Sequence, residues 1–281
     1  GPAGMTAAIT AHSRGHDVII YESQERPGGQ LYLAAAPPGR KEFEQLALDL
    51  ETQISLKKIP IVLKTKVNQE LIKKENPDAV IIATGAKPII PEIPGIDLPH
   101  VVESWDVLLN KVFTGKKVAI IGGGSVGVET ALFLAGKGTI SAEAIKFLLV
   151  NKAEDLETIF EMATQGTKQI TLIEMLNKIG KDIGKSTKWG MMQDLGRYHV
   201  RTMTGSKVIE ITPGGLNIEL DDNIQKIEAD TVVVAAGSAS NNHLESIVDK
   251  MGVEYRVAGD AQKVATAFDA VHQGYKAGLE I

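Results

Sequence analysis

Two glycine-rich turns constrain the fold of this 281-residue chain more than any other feature. In the second turn, the short apolar run 118–121 leads into Gly122, Gly124 and Gly127, and a helical pattern over 126–136 follows. This is the spacing G-x-G-x-x-G between a strand and a helix, the context that a dinucleotide-binding turn requires. The pattern therefore predicts a Rossmann-like unit around these glycines.

The first turn opens the sequence. Gly1 and Gly4 have the spacing of the second and third glycines of the same motif, and a helical pattern over 2–14 follows directly. In such a turn, the second glycine lets the backbone approach a pyrophosphate and the third lets helix and strand pack closely. We interpret the motif as one whose first glycine and strand precede residue 1, and we expect their absence to weaken nucleotide binding by this turn.

Each turn is followed by a strand pattern that ends in glutamate. The segment 17–21 ends at Glu22, 18 residues after Gly4. This is close to the distance of about 20 residues at which a carboxylate binds ribose hydroxyls. The segment 169–173 ends at Glu174, 47 residues after Gly127, because an insert at about 139–167 intervenes.

The insert carries two helical patterns. They cover 142–151 and 155–164, and Ser141 and Asp155 are the expected N-caps. We expect the apolar face of the second helix to pack on its own domain rather than on a partner.

Composition argues against several classes of protein. The net charge is −5 without a basic block, so we expect neither nucleic acid nor an anionic membrane as a partner. The absence of cysteine rules out Cys-ligated zinc or iron–sulfur sites and a Cys-x-x-Cys relay within this chain. His12 and His16 flank Gly15, which indicates a helix end rather than a metal site.

Further glycine turns indicate how the chain is organised. Gly28, Gly29 and Gln30 form a turn that would bring backbone close to a ligand. Three strand patterns run into small-residue turns: 79–83 before Thr84 and Gly85, 231–235 before Gly237, and 255–258 before Gly259 and Asp260. A helical pattern over 265–280 ends the sequence.

These patterns predict an α/β fold with two Rossmann-like dinucleotide-binding domains. The second domain, residues 114–239 with the helical insert, is expected to be inserted in a discontinuous first domain, residues 1–113 and 240–281.

Taken together, the motifs resemble the flavoprotein family of pyridine-nucleotide oxidoreductases with two dinucleotide-binding domains. Within that family the segments 27–31, 36–40 and 269–274 are most similar to the C-terminal half of the 2,4-dienoyl-CoA reductase and enoate reductase group, the old-yellow-enzyme-type NADH:flavin oxidoreductases. The resemblance covers nearly the whole chain apart from the insert.

The resemblance implies FAD in the first domain and NAD in the second. It also implies an N-terminal domain of the same protein, outside these residues, with an FMN barrel and a 4Fe–4S cluster. Electrons would then pass from NADH through FAD, the cluster and FMN to an activated C=C bond. A cytoplasmic location and a homo-oligomer are expected on the same grounds.

The resemblance also assigns roles to individual residues. The implied cofactor-binding residues are Gly1, Gly4, Glu22, Gly29, Gln30, Thr84, Gly85, Gly122, Gly124, Gly127, Glu174, Gly237, Gly259 and Asp260. Glu174 would accept from a free ribose 2′-OH and repel a 2′-phosphate, which predicts a preference for NADH over NADPH, with Lys178 nearby weakening it. No catalytic side chain is predicted, because the cofactors themselves supply the chemistry.

The sequence is compatible with three alternatives. A disulfide reductase of the thioredoxin-reductase kind would have the same fold, but the absence of cysteine argues strongly against it. A glutamate-synthase-like reductase subunit would use the same domains with a partner chain. A non-redox module would hold ADP or NAD structurally.

Overall fold

Parallel strands alternate with helices through most of residues 1–281, all of which are described by a computed structural model. The chain divides into two units. Unit 1 comprises Gly1–Lys87 and Ser238–Ile281, and unit 2 comprises Pro88–Gly237. The α/β fold class is confirmed. No helix combines the length and the apolar character needed to cross a membrane.

The helices are, in chain order, α1 (Pro2–Ser13), α2 (Leu31–Ala35), α3 (Glu42–Leu56), α4 (Gln69–Glu75), α5 (Ser104–Leu108), α6 (Ser125–Ala135), α7 (Ala142–Asn151), α8 (Leu156–Thr164), α9 (Lys185–Arg197), α10 (Glu245–Met251) and α11 (Ala267–Leu279).

The strands are β1 (Ile20–Tyr21), β2 (Ile61–Val62), β3 (Ala79–Ile82), β4 (Ala86–Pro88), β5 (Val101–Glu103), β6 (Lys117–Ile121), β7 (Gln169–Ile173), β8 (Arg201–Met203), β9 (Lys207–Thr212), β10 (Gly215–Leu220), β11 (Asn223–Glu228), β12 (Thr231–Val234), β13 (Ser238–Ser240) and β14 (Glu254–Val257).

Unit 2 is built on a five-stranded parallel sheet in the order β5-β12-β6-β7-β8. Its central strands are nearly continuous apolar runs because both faces of the sheet are buried. On one face α6 places Val128 and Leu134 in a cluster with Ile120 and Leu172. The antiparallel sheet β9-β10-β11 supplies Leu216 to the cluster on the other face.

Unit 1 contains separate parallel pairs, β1 with β2 and β3 with β14, and β4 pairs with β13. Helix α1 packs along α11. The two helices cross closely because Gly274 and Gly278 carry no side chain. A Cβ at Gly274 would overlap with the carbonyl oxygen of Ala3, and a Cβ at Gly278 with that of Ala7. The small residues of both helices thus bring the N-terminus of α1 against the end of β14.

The boundary between the units differs from the expected residue 113. The segment 88–113 lies in unit 2 because β5 pairs with β12, with Val101 opposite Val232. Val107 of α5 is also buried in the cluster under the parallel sheet. The return to unit 1 falls at Ser238 instead of residue 240.

The two predicted helices of the insert are present, and Ser141 and Asp155 accept hydrogen bonds from the backbone as N-caps. The expectation that the apolar face of α8 packs on its own domain holds only in part. Ile159 is buried, but Leu156 and Phe160 remain 75% and 58% exposed. Helix α7 buries no residue.

Gly127 tests how strongly the glycine turn supports the fold. A Cβ there would overlap with the carbonyl oxygen of Gly122, so we expect Gly127→Ala to lower the free energy of unfolding by about 2–4 kcal/mol. Gly190 of α9 is the matched control because a Cβ there meets nothing within 4 Å. Gly190→Ala should raise the free energy by up to about 1 kcal/mol. Urea unfolding followed by circular dichroism measures both, and equal effects would contradict the steric role of Gly127.

Candidate functional site

In unit 1 the strand-end glutamate lies against the first glycine turn. Gly1 is the N-cap of α1, and its carbonyl oxygen accepts from the amide of Met5 at 3.1 Å. The Oε2 atom of Glu22 lies 3.7 Å from the nitrogen of Gly1, while Oε1 accepts from the amide of Gln24 at 2.9 Å. The carboxylate is thus held beside the start of a helix.

Two further predicted glycines pack on the same turn. Gly29 has φ +56°, and a Cβ there would lie 2.9 Å from the Cα of Gly1. A Cβ at Gly4 would lie 3.2 Å from the Cβ of Ala83, at the end of β3. Any side chain at residue 29 would therefore fill the space directly over the turn.

Gln30, Gly85 and Asp260 form a second group in unit 1. The Nε2 of Gln30 donates to Asp260 Oδ2 at 3.3 Å, and a Cβ at Gly85 would lie 3.3 Å from the same nitrogen. Gly259 joins this group to the turn, since its Cβ would lie 2.7 Å from that of Ala3. Burial raises the pKa of Asp260, and hydrogen bonds from the amide of Ala265 and from Gln30 oppose that shift.

Thr84 has a structural partner. Its hydroxyl donates to the carbonyl oxygen of Asn241, and the amide of Asn241 donates to the carbonyl oxygen of Gly85 at 2.9 Å. These bonds connect the end of β3 to residue 241. Together with the contacts above, they bring all the predicted positions of unit 1 into one continuous region.

In unit 2 the second turn has the close contacts that its glycines require. Gly122 has φ +107°, and a Cβ there would overlap with the carbonyl oxygen of Ala235. Gly124 is the N-cap of α6. No hydrogen bond joins Gly237 to this turn. The carbonyl oxygen of Gly237 instead accepts from the amide of Ile89 at 2.9 Å.

Glu174 lies directly on the second turn despite the insert that precedes its strand. The amide of Gly123 donates to Glu174 Oε2 at 2.6 Å, and the amide of Leu176 donates to Oε1 at 2.8 Å. Both carboxylate oxygens are therefore fixed by backbone donors. Glu174 follows the end of β7 directly, as the local sequence pattern predicts.

Asp182 was not predicted, although it contacts the start of α6. Its carboxylate accepts from the amide of Ser125 at 2.9 and 3.1 Å and from the hydroxyl of Ser125 at 2.8 Å. The two residues are 57 positions apart, and Asp182 lies in a loop, so no local pattern could have joined them. The amide of Gly180 also donates to the carbonyl oxygen of Gly123 at 2.6 Å, so this loop folds back over the turn.

A pocket of about 400 Å³ adjoins the second turn. Its lining residues are Gly123, Gly124, Glu174, Leu176, Lys178, Lys181 and Asp182. Two carboxylates and two ammonium groups thus line a space bounded by glycine backbone. No group of three or more His, Cys, Asp or Glu side chains could hold a metal ion.

Family comparison agrees with this architecture. The profile of the pyridine nucleotide-disulphide oxidoreductases matches residues 1–266. The chain belongs to this family.

Two relatives match along the full chain. A metal reductase from Desulforamulus reducens is 41% identical, and an NADH oxidase from Thermoanaerobacter brockii is 35% identical. Each alignment covers 100% of this chain but only 42% and 40%, respectively, of the relative. The chain therefore spans about 40% of the length of these relatives.

A solved structure also matches this chain along its full length. The complex of 2-naphthoyl-CoA reductase with 2-naphthoyl-CoA superposes with a TM-score of 0.85 at 30% identity, over 100% of this chain and 38% of that one. These relatives confirm the predicted resemblance to the enoate reductase group, and the family match confirms the predicted oxidoreductase class.

The raised pKa of Asp260 predicts a pH-dependent stability. An aspartate whose folded-state pKa is raised favours folding while protonated, and that contribution is lost as pH rises through the folded-state pKa. Asp260→Asn should therefore raise the free energy of unfolding at about pH 7, and the gain should vanish below the ordinary pKa of 3.8.

Asp269 is the control with the opposite sign. The hydrogen bond from the Thr266 hydroxyl lowers the pKa of Asp269, so Asp269→Asn should lower the free energy of unfolding at about pH 7, with the loss shrinking as pH falls. Urea unfolding across a pH series measures both variants. The same sign for both would contradict the raised pKa of Asp260.

Proposed function

We propose that this chain binds FAD in unit 1 and NADH in unit 2, and transfers reducing equivalents from NADH to FAD as the electron-input part of a larger reductase. One observation carries the proposal. In each unit the glutamate at the end of the strand lies on the glycine turn: Glu22 beside Gly1, and Glu174 hydrogen-bonded to Gly123. Helix N-terminal amides bind phosphate and an adjacent carboxylate binds ribose hydroxyls, so each pair suits the two halves of a nucleotide.

The residues of unit 1 fit FAD. The absence of side chains at Gly1 and Gly29 leaves backbone accessible at the start of α1, where a pyrophosphate would bind. Asp260 and Gln30 lie on the same region and offer a carboxylate and an amide to the hydroxyl-bearing chain of the flavin. Glu22 would bind the adenosine ribose.

The residues of unit 2 fit NADH better than NADPH. The backbone donors that hold Glu174 leave further lone pairs on its oxygens, which can accept from the ribose 2′- and 3′-hydroxyls. A 2′-phosphate would meet this fixed negative charge. Lys178 and Lys181 line the same pocket and favour phosphate, but neither shares a hydrogen bond with the turn as Glu174 does.

Bound NADH and FAD would supply the hydride transfer themselves. The contribution of this chain is to bind and orient the two cofactors and to exclude water around them. We therefore assign no catalytic acid or base.

The electron acceptor lies, in this proposal, outside these residues. Relatives named metal reductase, NADH oxidase and 2-naphthoyl-CoA reductase all match this chain over only about 40% of their length. The names of these relatives point to different electron acceptors, whereas the part that matches this chain is common to all of them. This is expected if the common part delivers the electrons. We propose that the remainder is an N-terminal FMN and 4Fe–4S domain reducing an activated C=C bond of the enoate or acyl-CoA type. We place the protein in the cytoplasm as a homo-oligomer.

A crossed substitution experiment tests the two assignments. Glu22→Gln should weaken FAD binding about tenfold and leave NADH binding unchanged, because a charge-assisted pair of hydrogen bonds to ribose is lost. Glu174→Gln should weaken NADH binding about tenfold, leave FAD binding unchanged, and narrow the difference between NADH and NADPH. Equilibrium titration followed by fluorescence measures all three affinities.

Two exposed glutamates provide matched controls. Glu25→Gln, close to Glu22 and paired with Lys64, and Glu219→Gln on β10 should alter neither affinity. The assignments would be wrong if Glu22→Gln and Glu174→Gln weakened binding of the same ligand. They would also be wrong if the control substitutions weakened binding as much as Glu22→Gln and Glu174→Gln.

A further inference from the structure

The amide at the start of α6 already has an anionic partner in this structure. Both oxygens of Asp182 accept from the Ser125 amide, and one also accepts from the Ser125 hydroxyl. Ser125 is the first residue of α6, so its amide has no partner within the helix. Such amides, with the positive end of the helix dipole, are where a dinucleotide places its pyrophosphate.

The carboxylate also occupies the space over the glycine backbone. A Cβ at Gly124 would lie 3.4 Å from Asp182 Oδ2, so the carboxylate is in van der Waals range of the turn. A phosphate oxygen bound to the Ser125 amide would need the same position. Two anions that share one donor also repel each other, so Asp182 and a pyrophosphate exclude one another.

The loop that carries Asp182 is fixed on both sides of it. The amide of Gly180 donates to the carbonyl oxygen of Gly123, and Ile183 is buried in the core of unit 2. Asp182 itself is exposed. Its side chain can therefore rotate into solvent while the loop stays in place, and Lys178 and Lys181 then remain as the cations of the pocket.

We propose that Asp182 occupies the phosphate subsite of unit 2 when no nucleotide is bound, and that a dinucleotide binds by displacing it. This inference rests on the proposed function of unit 2. Asp182 then acts as an internal competitor of the dinucleotide. The apparent affinity for the dinucleotide equals the intrinsic affinity multiplied by the fraction of molecules in which the subsite is free. The effect is confined to ligands that carry the diphosphate.

The test compares ADP-ribose with adenosine, since only the first contains the diphosphate. Binding to the chain and to Asp182→Asn is measured by calorimetry for ADP-ribose and by ligand-observed NMR for adenosine. Asparagine keeps an oxygen that accepts from Ser125 and removes the charge. We expect ADP-ribose to bind roughly three- to tenfold more tightly to Asp182→Asn, and adenosine to bind equally to both.

Asp155→Asn is the matched control. Asp155 accepts from the amide and hydroxyl of Thr158 at the start of α8, in the same unit but outside the pocket, so its substitution should change neither ligand. Asp182→Ser provides a second variant with a short polar cap if Asp182→Asn folds poorly. Thermal unfolding of each variant establishes that it is folded.

The outcomes separate the two proposals. If ADP-ribose binds but no more tightly to either Asp182 variant, Asp182 is only a helix cap and the displacement is wrong. If adenosine binding rises together with ADP-ribose binding, the effect is not on the phosphate subsite and the displacement is also wrong. If neither ADP-ribose nor NADH binds to any variant, the nucleotide site proposed for unit 2 is itself wrong.

Discussion

The close approach of a helix N-terminus to the end of a neighbouring strand is the contact on which the rest of this structure depends. In unit 2 it is possible because Gly122 and Gly127 carry no Cβ, and any side chain there would overlap with backbone oxygen. The approach brings the amide of Gly123 within 2.6 Å of Glu174. One steric condition therefore both packs α6 on the sheet and sets the carboxylate of Glu174, which we propose binds ribose, beside the helix N-terminus, which we propose binds phosphate.

Much of this was predictable because it is encoded locally. Strand β7 and helices α7 and α8 follow from short apolar patterns and caps such as Ser141. The close packing at Gly122 follows from motif spacing, and the position of Glu174 follows from the strand pattern that ends directly before it. Long-range pairing was not predictable. β5 is three residues long and joins unit 2 only by pairing with β12. Strand β11 has no apolar pattern that would predict it, because only Ile227 of it is buried. Asp182 reaches Ser125 across 57 positions.

The two units share one arrangement but differ in the partners of their carboxylates. Glu174 is held by two backbone amides, whereas Glu22 accepts from Gln24 and Ser23 and lies beside Gly1. A second carboxylate, Asp182, is present only at the turn of unit 2. The site proposed for the exchangeable nucleotide is thus the one with an internal anion in its phosphate position, which suits a ligand that must bind and leave repeatedly.

Anaerobic reduction of the FAD-loaded chain tests the central claim most directly. It requires that both nucleotides bind and that electrons pass from NADH to FAD. Absorbance of the flavin is followed while NADH, and separately NADPH, is added in the absence of oxygen. We expect the flavin bands to be bleached by NADH and far less by NADPH. A chain that binds FAD but is not bleached by NADH, or that responds equally to both nucleotides, would contradict the proposed electron-input role.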